Sequence, residues 1–322
     1  MDLSPLTRKK QALDRYRPLP DALVRNLEAW FTVELTYTSN AIEGNTLTRR
    51  ETAVVIEKGL TVGGRSLKEH LEAANHAEAL AQLYAWLAAP KKTISEAEVL
   101  TLHRLILKGV EEAHAGHCRR VPVRISGAAV VMPNPHKVPD LMAAFFDWLA
   151  SASTMHPVTL AMEAHYRLVS IHPFVDGNGR TARLLMNLLL MQRGYPPAII
   201  RPRDRLAYLA ALEQAQLGGT KAPYERLMAR AVSRSLDIYL NAAKGKSTLA
   251  AEAGVLKIGA LAEAAGETIA TIRFWTKEGL LEVAETTASG YQLYSREMIA
   301  RCARIRALKR ERYPLAEIRE RL

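Results

Sequence analysis

Apolar residues recur every three to four positions over most of this chain, and that spacing predicts helices. The first clear pattern starts at Asp21 and runs through Leu23, Leu27, Trp30, Phe31 and Leu35 into Ser39-Asn40-Ala41-Ile42-Glu43-Gly44, where Gly44 is a suitable stop. Thr48, followed three residues later by Glu51, has the form of a capping box and predicts a helix over Glu51–Lys58. The same periodicity predicts helices over Leu67–Leu87, Ser95–Leu107, Leu141–Leu149, Leu160–Ile171, Leu184–Leu190, from Arg205 onward, and over Tyr224–Leu240. One stretch departs from it. In Val121–Val131, β-branched residues flank Ser126-Gly127, which predicts a short β-hairpin ended by Pro133, Pro135 and Pro139. Residues 1–20 are basic and punctuated by Pro5, Pro18 and Pro20, so a poorly ordered lead-in is expected there.

From Ala242 to Gly254 the apolar periodicity gives way to small and basic residues, the pattern of a linker. Beyond it, Lys257–Ala265 predicts a short helix closed by Gly266. Thr268 caps a second helix over Ile269–Lys277. Ser289-Gly290-Tyr291 then reads as a tight turn with strand-forming flanks, and a further helix starts at Ser295 with Met298 facing inward. The order is helix-turn-helix plus a wing. The fold class expected is therefore mainly α in two parts, with a single short hairpin in the first part and a small winged helix-turn-helix domain at the end.

Composition narrows the picture only a little. The 322 residues are 48% hydrophobic and 24% charged, as in an ordinary globular chain. No apolar run is long enough to span a bilayer and no signal-like segment opens the chain, so no membrane and a cytoplasmic setting are expected. Cys118 and Cys302 are too far apart in sequence to suggest a disulfide framework. The formal net charge of +11 favours an anionic partner, nucleotide or nucleic acid. His114, His117 and Cys118 offer three zinc-type ligands, but no matching pair occurs elsewhere, and a polar loop is the better reading.

The candidate chemistry is concentrated in His172-Pro173-Phe174-Val175-Asp176-Gly177-Asn178-Gly179-Arg180-Thr181-Ala182-Arg183. A Gly-rich turn opening a helix turns several free N–H groups and the positive end of a helix dipole toward one point, which suits a phosphate. Asp176 beside it can hold Mg²⁺, an ion that prefers carboxylate and phosphate oxygens. Arg180 and Arg183, three apart, can face the same phosphates. His172 lies where the chain enters the turn and is a candidate general base.

This stretch resembles the signature of the Fic family, His-x-Phe-x-(Asp/Glu)-Gly-Asn-Gly-Arg-x-x-Arg, with every specified position present. The resemblance implies a helical Fic core with a short β-hairpin flap, and transfer of AMP from ATP·Mg²⁺ to a hydroxyl side chain of a target protein. His172 would be the base and Arg180 a second catalytic group. Asp176 would hold the metal, and Gly177, Asn178, Gly179, Arg180 and Arg183 would hold the phosphates. Ile125, Ser126 and Gly127 of the flap would lie against the nucleotide, with the flap backbone pairing an extended segment of the target. Tyr208 stands where the family packs a tyrosine near the adenine. Ser39-x-x-x-Glu43-Gly44 resembles the family's inhibitory motif, in the subclass that carries it on the N-terminal side. There the glutamate pairs with the second arginine, here Arg183, because one guanidinium cannot serve a carboxylate and a phosphate bidentately at once. In some relatives that glutamate also positions a water for removing AMP. Gly179 is intact, against the inverted nucleotide pose of the relative that transfers a phosphate. The implied domains are an N-terminal helical region with the inhibitory helix (1–100), the Fic catalytic core (101–241), the linker (242–254) and the C-terminal domain (255–322).

Residues 255–322 resemble the MerR-type DNA-binding domain, notably in Thr271-Ile272-Arg273-Phe274-Trp275, Gly279-Leu280-Leu281 and Gly290-Tyr291. The resemblance implies DNA contacts from Thr271, Arg273 and Tyr291, with the Tyr294 hydroxyl also available. Glu285, Thr286 and Gln292 stand where MerR wings usually carry arginines, which removes phosphate contacts. MerR regulators dimerise through a long helix after this domain, and this sequence stops at Leu322, so a homodimer would form through another surface. The second functional reading is a DNA-binding transcriptional regulator whose Fic core senses nucleotide.

Overall fold

The computed structural model describes residues 1–89, 94–245, 255–286, 292–295, 297–311 and 313–322. The chain divides into two compact units, Met1–Ala243 and Lys244–Leu322, each with its own apolar core. Most of the expected linker lies outside the described residues.

The first described helix corrects one expectation. The supposed lead-in is helix α1, Ser4–Asp14, packed along α10, Ala222–Ala243. Pro5 falls in the first turn, where a missing N–H costs nothing, so it starts the helix rather than breaking it. Leu6 and Leu13, seven apart, share the face that packs, at 5% and 0% exposure, and Lys9 pairs with Asp237 at 2.6 Å.

The remaining helices of this unit follow the sequence periodicity closely. They are α2 (Asp21–Ile42), α3 (Arg49–Lys58), α4 (Leu67–Ala88), α5 (Glu96–Leu107), α6 (Val138–Ser151), α7 (Pro157–Ile171), α8 (Asn178–Gln192) and α9 (Arg205–Gln216). Thr48 with Glu51, and Ser66 with Glu69, form complete capping boxes at α3 and α4. The helix at the centre is α8, in which every residue from Arg180 to Leu190 is buried. A helix covered on all sides is a core helix. It packs against α7 as an antiparallel hairpin, and α5, α4 and α2 cover its other faces.

The hairpin expected in Val121–Val131 is minimal. Ala128 N–H donates to Ile125 O at 3.1 Å, Gly127 takes φ 78°, and Arg124 and Val131 form one antiparallel bridge. In this register Pro122 would face Pro133, and neither has an N–H with which to extend the ladder.

The second unit holds β1 (Val255–Lys257), α11 (Ile258–Ala265), α12 (Ile269–Lys277), β2 (Glu285–Thr286), β3 (Gln292–Ser295), α13 (Glu297–Arg310) and α14 (Leu315–Arg321). The strands form one antiparallel sheet in the order β1-β3-β2. Leu261, Ile272, Trp275, Leu280, Tyr294 and Ile305 are its core, and Met298 is buried as expected. Thr268 caps α12 by accepting from Thr271 N–H. The wing tip, with Tyr291, lies outside the described residues.

Candidate functional site

α7 ends at His172, which caps it in the left-handed region at φ 50° and ψ 58°. It is the one non-glycine residue with positive φ among the described residues. Such a conformation persists only when its surroundings over-determine it, and it clusters at functional sites. It turns the chain back on itself, and Gly177, at φ 77°, opens α8. Asn178 fixes the turn between them. Its amide donates to Phe174 O and accepts from Phe174 N–H, both at 2.9 Å, in a buried position. The Asn178 side chain is therefore spent on the turn itself.

His172 Nδ1 lies 3.3 Å from Val169 O. A carbonyl only accepts, so Nδ1 carries the proton and Nε2 is the basic nitrogen. Burial pushes the His172 pKa below its usual value, and the Arg119 charge acts in the same direction against the Val169 hydrogen bond. A neutral imidazole with a free lone pair on Nε2 follows at neutral pH.

Asp176 Oδ1 accepts from Gly177 N–H at 2.6 Å and Oδ2 from Arg180 Nη2 at 2.9 Å. Burial raises the Asp176 pKa, the Arg180 charge and the Gly177 N–H lower it, and the net shift is downward. The carboxylate is thus ionised and oriented, and with its side chain 45% exposed it can take a cation. Arg180 is itself almost fully buried and also holds Glu72 at 3.2 Å. Its fork serves two carboxylates, so in this state it positions Asp176 rather than facing open solvent.

The N-terminus of α8 is occupied by a carboxylate of the same chain. Glu43 caps the end of α2, and its Oε1 accepts from Arg183 Nη2 at 2.6 Å. Arg183 also donates from Nη2 to Ser39 O and from Nε to Ser39 Oγ, each at 3.0 Å. A methyl group added at Gly179 would collide with Glu43 Oε1 and stand 3.0 Å from Arg183 Nη1. The missing side chain at Gly179 is the space in which the carboxylate sits. A cradle of helix N-terminal N–H groups and an arginine that accepts one anion is suited to a phosphate.

Other expected residues are more distant in role. Tyr208 is 1% exposed, beside Arg183, with its hydroxyl 2.9 Å from His165 Nε2. Ile125, Ser126 and Gly127 form the flap turn, and the flap is tied to α9 where Ala129 N–H donates to Glu213 Oε1 at 2.6 Å. His114, His117 and Cys118 line a cavity of about 710 Å³ that also reaches Val175 of the signature. Among the described residues no group of three or more His, Cys, Asp or Glu is arranged to hold a metal ion. In the second unit Arg273 is exposed on α12, whereas the Thr271 hydroxyl is engaged with Thr268 at 2.8 Å. The Tyr294 hydroxyl is not available to DNA. It is buried, at 2.9 Å from Thr276 Oγ1 and 3.0 Å from Gln292 Oε1, because β3 turns this ring into the core.

Sequence reasoning missed four residues of this site. Glu72 pairs with Arg180 and accepts from Asn45 Nδ2 at 2.9 Å. His103 stacks on Phe174 at 3.6 Å, lies 3.0 Å from Asp176 O and accepts from Gly116 N–H. Burial pushes it down to about 4, so it stays neutral and holds the turn by hydrogen bonds. Arg205 donates to Ile42 O at 2.6 Å, and Arg119 donates to three carbonyls around His172. Glu72 and His103 lie on predicted helices, where the apolar stripe marks them only as helix positions. Nothing in the sequence pattern marks the two arginines.

No helix among the described residues is long and apolar enough to cross a membrane. Residues 93–190 match the Fic/DOC family, and residues 256–322 match the MerR HTH family regulatory protein family, so a MerR-family helix-turn-helix domain ends the chain. The chain is 42% identical over 215 residues to a protein adenylyltransferase Fic of Nematostella vectensis, an alignment covering 66% of this chain and 49% of that protein. It spans about half the length of the curated relatives it matches. In structure it resembles a Fic domain containing signaling protein from Bacteroides thetaiotaomicron, at 30% identity and a TM-score of 0.70, covering 75% of this chain and 98% of that one. It also resembles Fic-1 from C. elegans, at 34% identity and a TM-score of 0.68, covering 75% and 72%. With this fold, this turn and these likenesses, the chain belongs to the Fic/DOC family.

Proposed function

We propose that the protein is an autoinhibited adenylyltransferase, moving AMP from ATP to a hydroxyl side chain of a target protein. The observation that carries this is the Glu43 carboxylate seated in the anion cradle of Gly179 and Arg183, at the start of the helix that follows the turn His172 opens. In the active state ATP phosphates replace that carboxylate over Gly177-Asn178-Gly179, and Arg183 turns from Glu43 to the nucleotide. His172 Nε2 takes the proton of the target hydroxyl. The hydroxyl oxygen bonds to the α-phosphorus, the bond from that phosphorus to the bridging oxygen breaks, and pyrophosphate leaves. Positioning and charge stabilisation supply most of the acceleration. Asp176, ionised and oriented by Arg180, would hold Mg²⁺, which neutralises phosphate charge when bound. Tyr208 and the turn at Ile125, Ser126 and Gly127 would border the adenine side.

Glu43 also suits the reverse chemistry, because a carboxylate in this position can orient a water for removing AMP. The MerR-family match at residues 256–322 and the exposed Arg273 support a second role, DNA binding by the second unit. The experiment is labelling with α-³²P-ATP in lysate of wild type, Glu43→Gly and Glu43→Gly/His172→Ala. Strong labelling in the second alone is expected. Labelling that survives His172→Ala removes His172 as the base, and none in Glu43→Gly leaves the nucleotide-sensing regulator as the better account.

A further inference from the structure

We infer that Arg119 is a positioning residue that ties both legs of the flap to the base His172. The inference rests on the transferase reading above and extends it to the link between target-binding flap and catalytic base. Arg119 is 3% exposed. Its Nε donates to His172 O at 2.7 Å, Nη1 to Val121 O at 3.1 Å and Nη2 to Pro133 O at 2.7 Å. Its own N–H donates to Pro173 O at 2.8 Å. One planar group therefore collects three carbonyls, one from each leg of the flap and one from the base.

Two features of this arrangement point to positioning. First, the guanidinium is buried against neutral carbonyls, where an apolar side chain would avoid the desolvation cost. The planar fork reaches the three carbonyls from three separate nitrogens, a spread that a single ammonium nitrogen covers only in part. Second, the carbonyl it holds belongs to the left-handed His172, whose backbone conformation needs outside support. The Val169 contact fixes the His172 ring and Arg119 fixes its carbonyl, so together they aim Nε2. The same arginine fixes where the flap starts and ends. The flap has only one bridge of its own, so its placement relative to His172 depends on this tether and on Glu213.

The test is made in the full chain carrying Glu43→Gly, with Arg119→Lys and Arg119→Met added separately. Self-labelling is followed against ATP concentration, ATP affinity by calorimetry, and flap amides 123–132 by hydrogen exchange. Arg119→Met is expected to lower the saturated labelling rate on the order of 10²-fold, the scale of a misplaced reacting group, with ATP affinity unchanged. Arg119→Lys is expected to recover part of that rate, and flap exchange rises in both. A parental rate in either variant overturns the inference, as does ATP affinity lost in step with the rate. So does loss of cooperative unfolding in Arg119→Lys, since Arg119 would then be holding the fold. If Glu43→Gly with Arg119 intact gives no label, the transferase reading fails. The tether is then judged on flap exchange alone, and unchanged exchange in Arg119→Lys sinks it.

Discussion

Removing the Glu43 carboxylate should weaken the fold and tighten ATP binding together. The pair to be broken is Arg183 Nη2 to Glu43 Oε1 at 2.6 Å, with side chains 6% and 38% exposed. A fully exposed pair contributes about 0.2–1 kcal/mol. Breaking a fully buried one costs about 3–5 kcal/mol. Here one partner is buried and the other more than a third exposed, so about 1–2 kcal/mol is the reasonable range. For a unit of this size that lowers Tm by roughly 2–8 °C. In the proposed function ATP has to displace the same carboxylate, so by linkage the free energy lost to the fold would be returned to the nucleotide. At about 1.4 kcal/mol per factor of ten, Kd for ATP·Mg²⁺ should fall roughly 5–30-fold. Glu43→Ala clears both the charge and the space over Gly179, whereas Glu43→Gln clears only the charge, so Ala should give the larger gain. Calorimetric titration with ATP·Mg²⁺ beside thermal unfolding reads both quantities. A lowered Tm with unchanged Kd would show a structural ion pair only and would refute the shared cradle. So would an equal Kd in Ala and Gln.

Three further outcomes follow. Labelling by Glu43→Gly should hold constant above neutral pH and fall on acidification, with a midpoint below the ordinary histidine value. The proposed base works unprotonated, and burial, aided by Arg119 and opposed by Val169, Asp176 and, in the wild type only, Glu43, lowers its pKa. A midpoint above pH 7 contradicts this assignment. Asn178→Ala leaves Phe174 N–H and O buried without partners, at about 1–3 kcal/mol each, so both Tm and labelling should drop. An unchanged Tm would mean that the clamp is dispensable. Arg273→Ala should weaken retention of a short mixed-sequence DNA duplex and reduce the salt slope by about 0.9, the value of one phosphate contact. A wild-type chain that retains no duplex at any salt concentration removes DNA binding altogether.

The helices were legible because burial and periodicity agree. The apolar spacing of Leu184–Leu190, interrupted only by Asn187, marks α8, which is the buried centre, and the capping box at Thr48–Glu51 forms as its spacing predicts. The residues around the cradle were legible from types at fixed spacing, since a Gly-Asn-Gly turn, an acid and two arginines have few other uses. What stayed hidden is long-range. Arg119, Glu72, His103 and Arg205 each act through a partner between 53 and 163 residues away. Local periodicity carries no information about such pairs. Pro5 misled for a different reason, since a proline stops a helix from within but starts one from its first turn.

The contacts around Glu43 also indicate how the cradle is freed. The backbone on either side of it is pinned. Arg205 Nε donates to Ile42 O at 2.6 Å, Asn40 Nδ2 to Glu72 O at 3.1 Å, and Asn45 Nδ2 to Glu69 O at 3.1 Å. Asn45 Nδ2 also reaches Glu72 Oε2, so the loop after α2 is fastened to the carboxylate that holds Arg180. Withdrawing the end of α2 would break all of these and loosen Arg180, and with it Asp176. Rotating the Glu43 side chain breaks only the pair with Arg183, and its 38% exposure gives the carboxylate water to move into. Rotamer changes are far faster and less costly than moving a packed helix end. The lower-cost route to the active state therefore leaves α2 in place and keeps Asp176 oriented. If the proposed function holds, ATP would then compete with one side chain for Arg183, and inhibition would be graded by nucleotide affinity instead of by helix displacement.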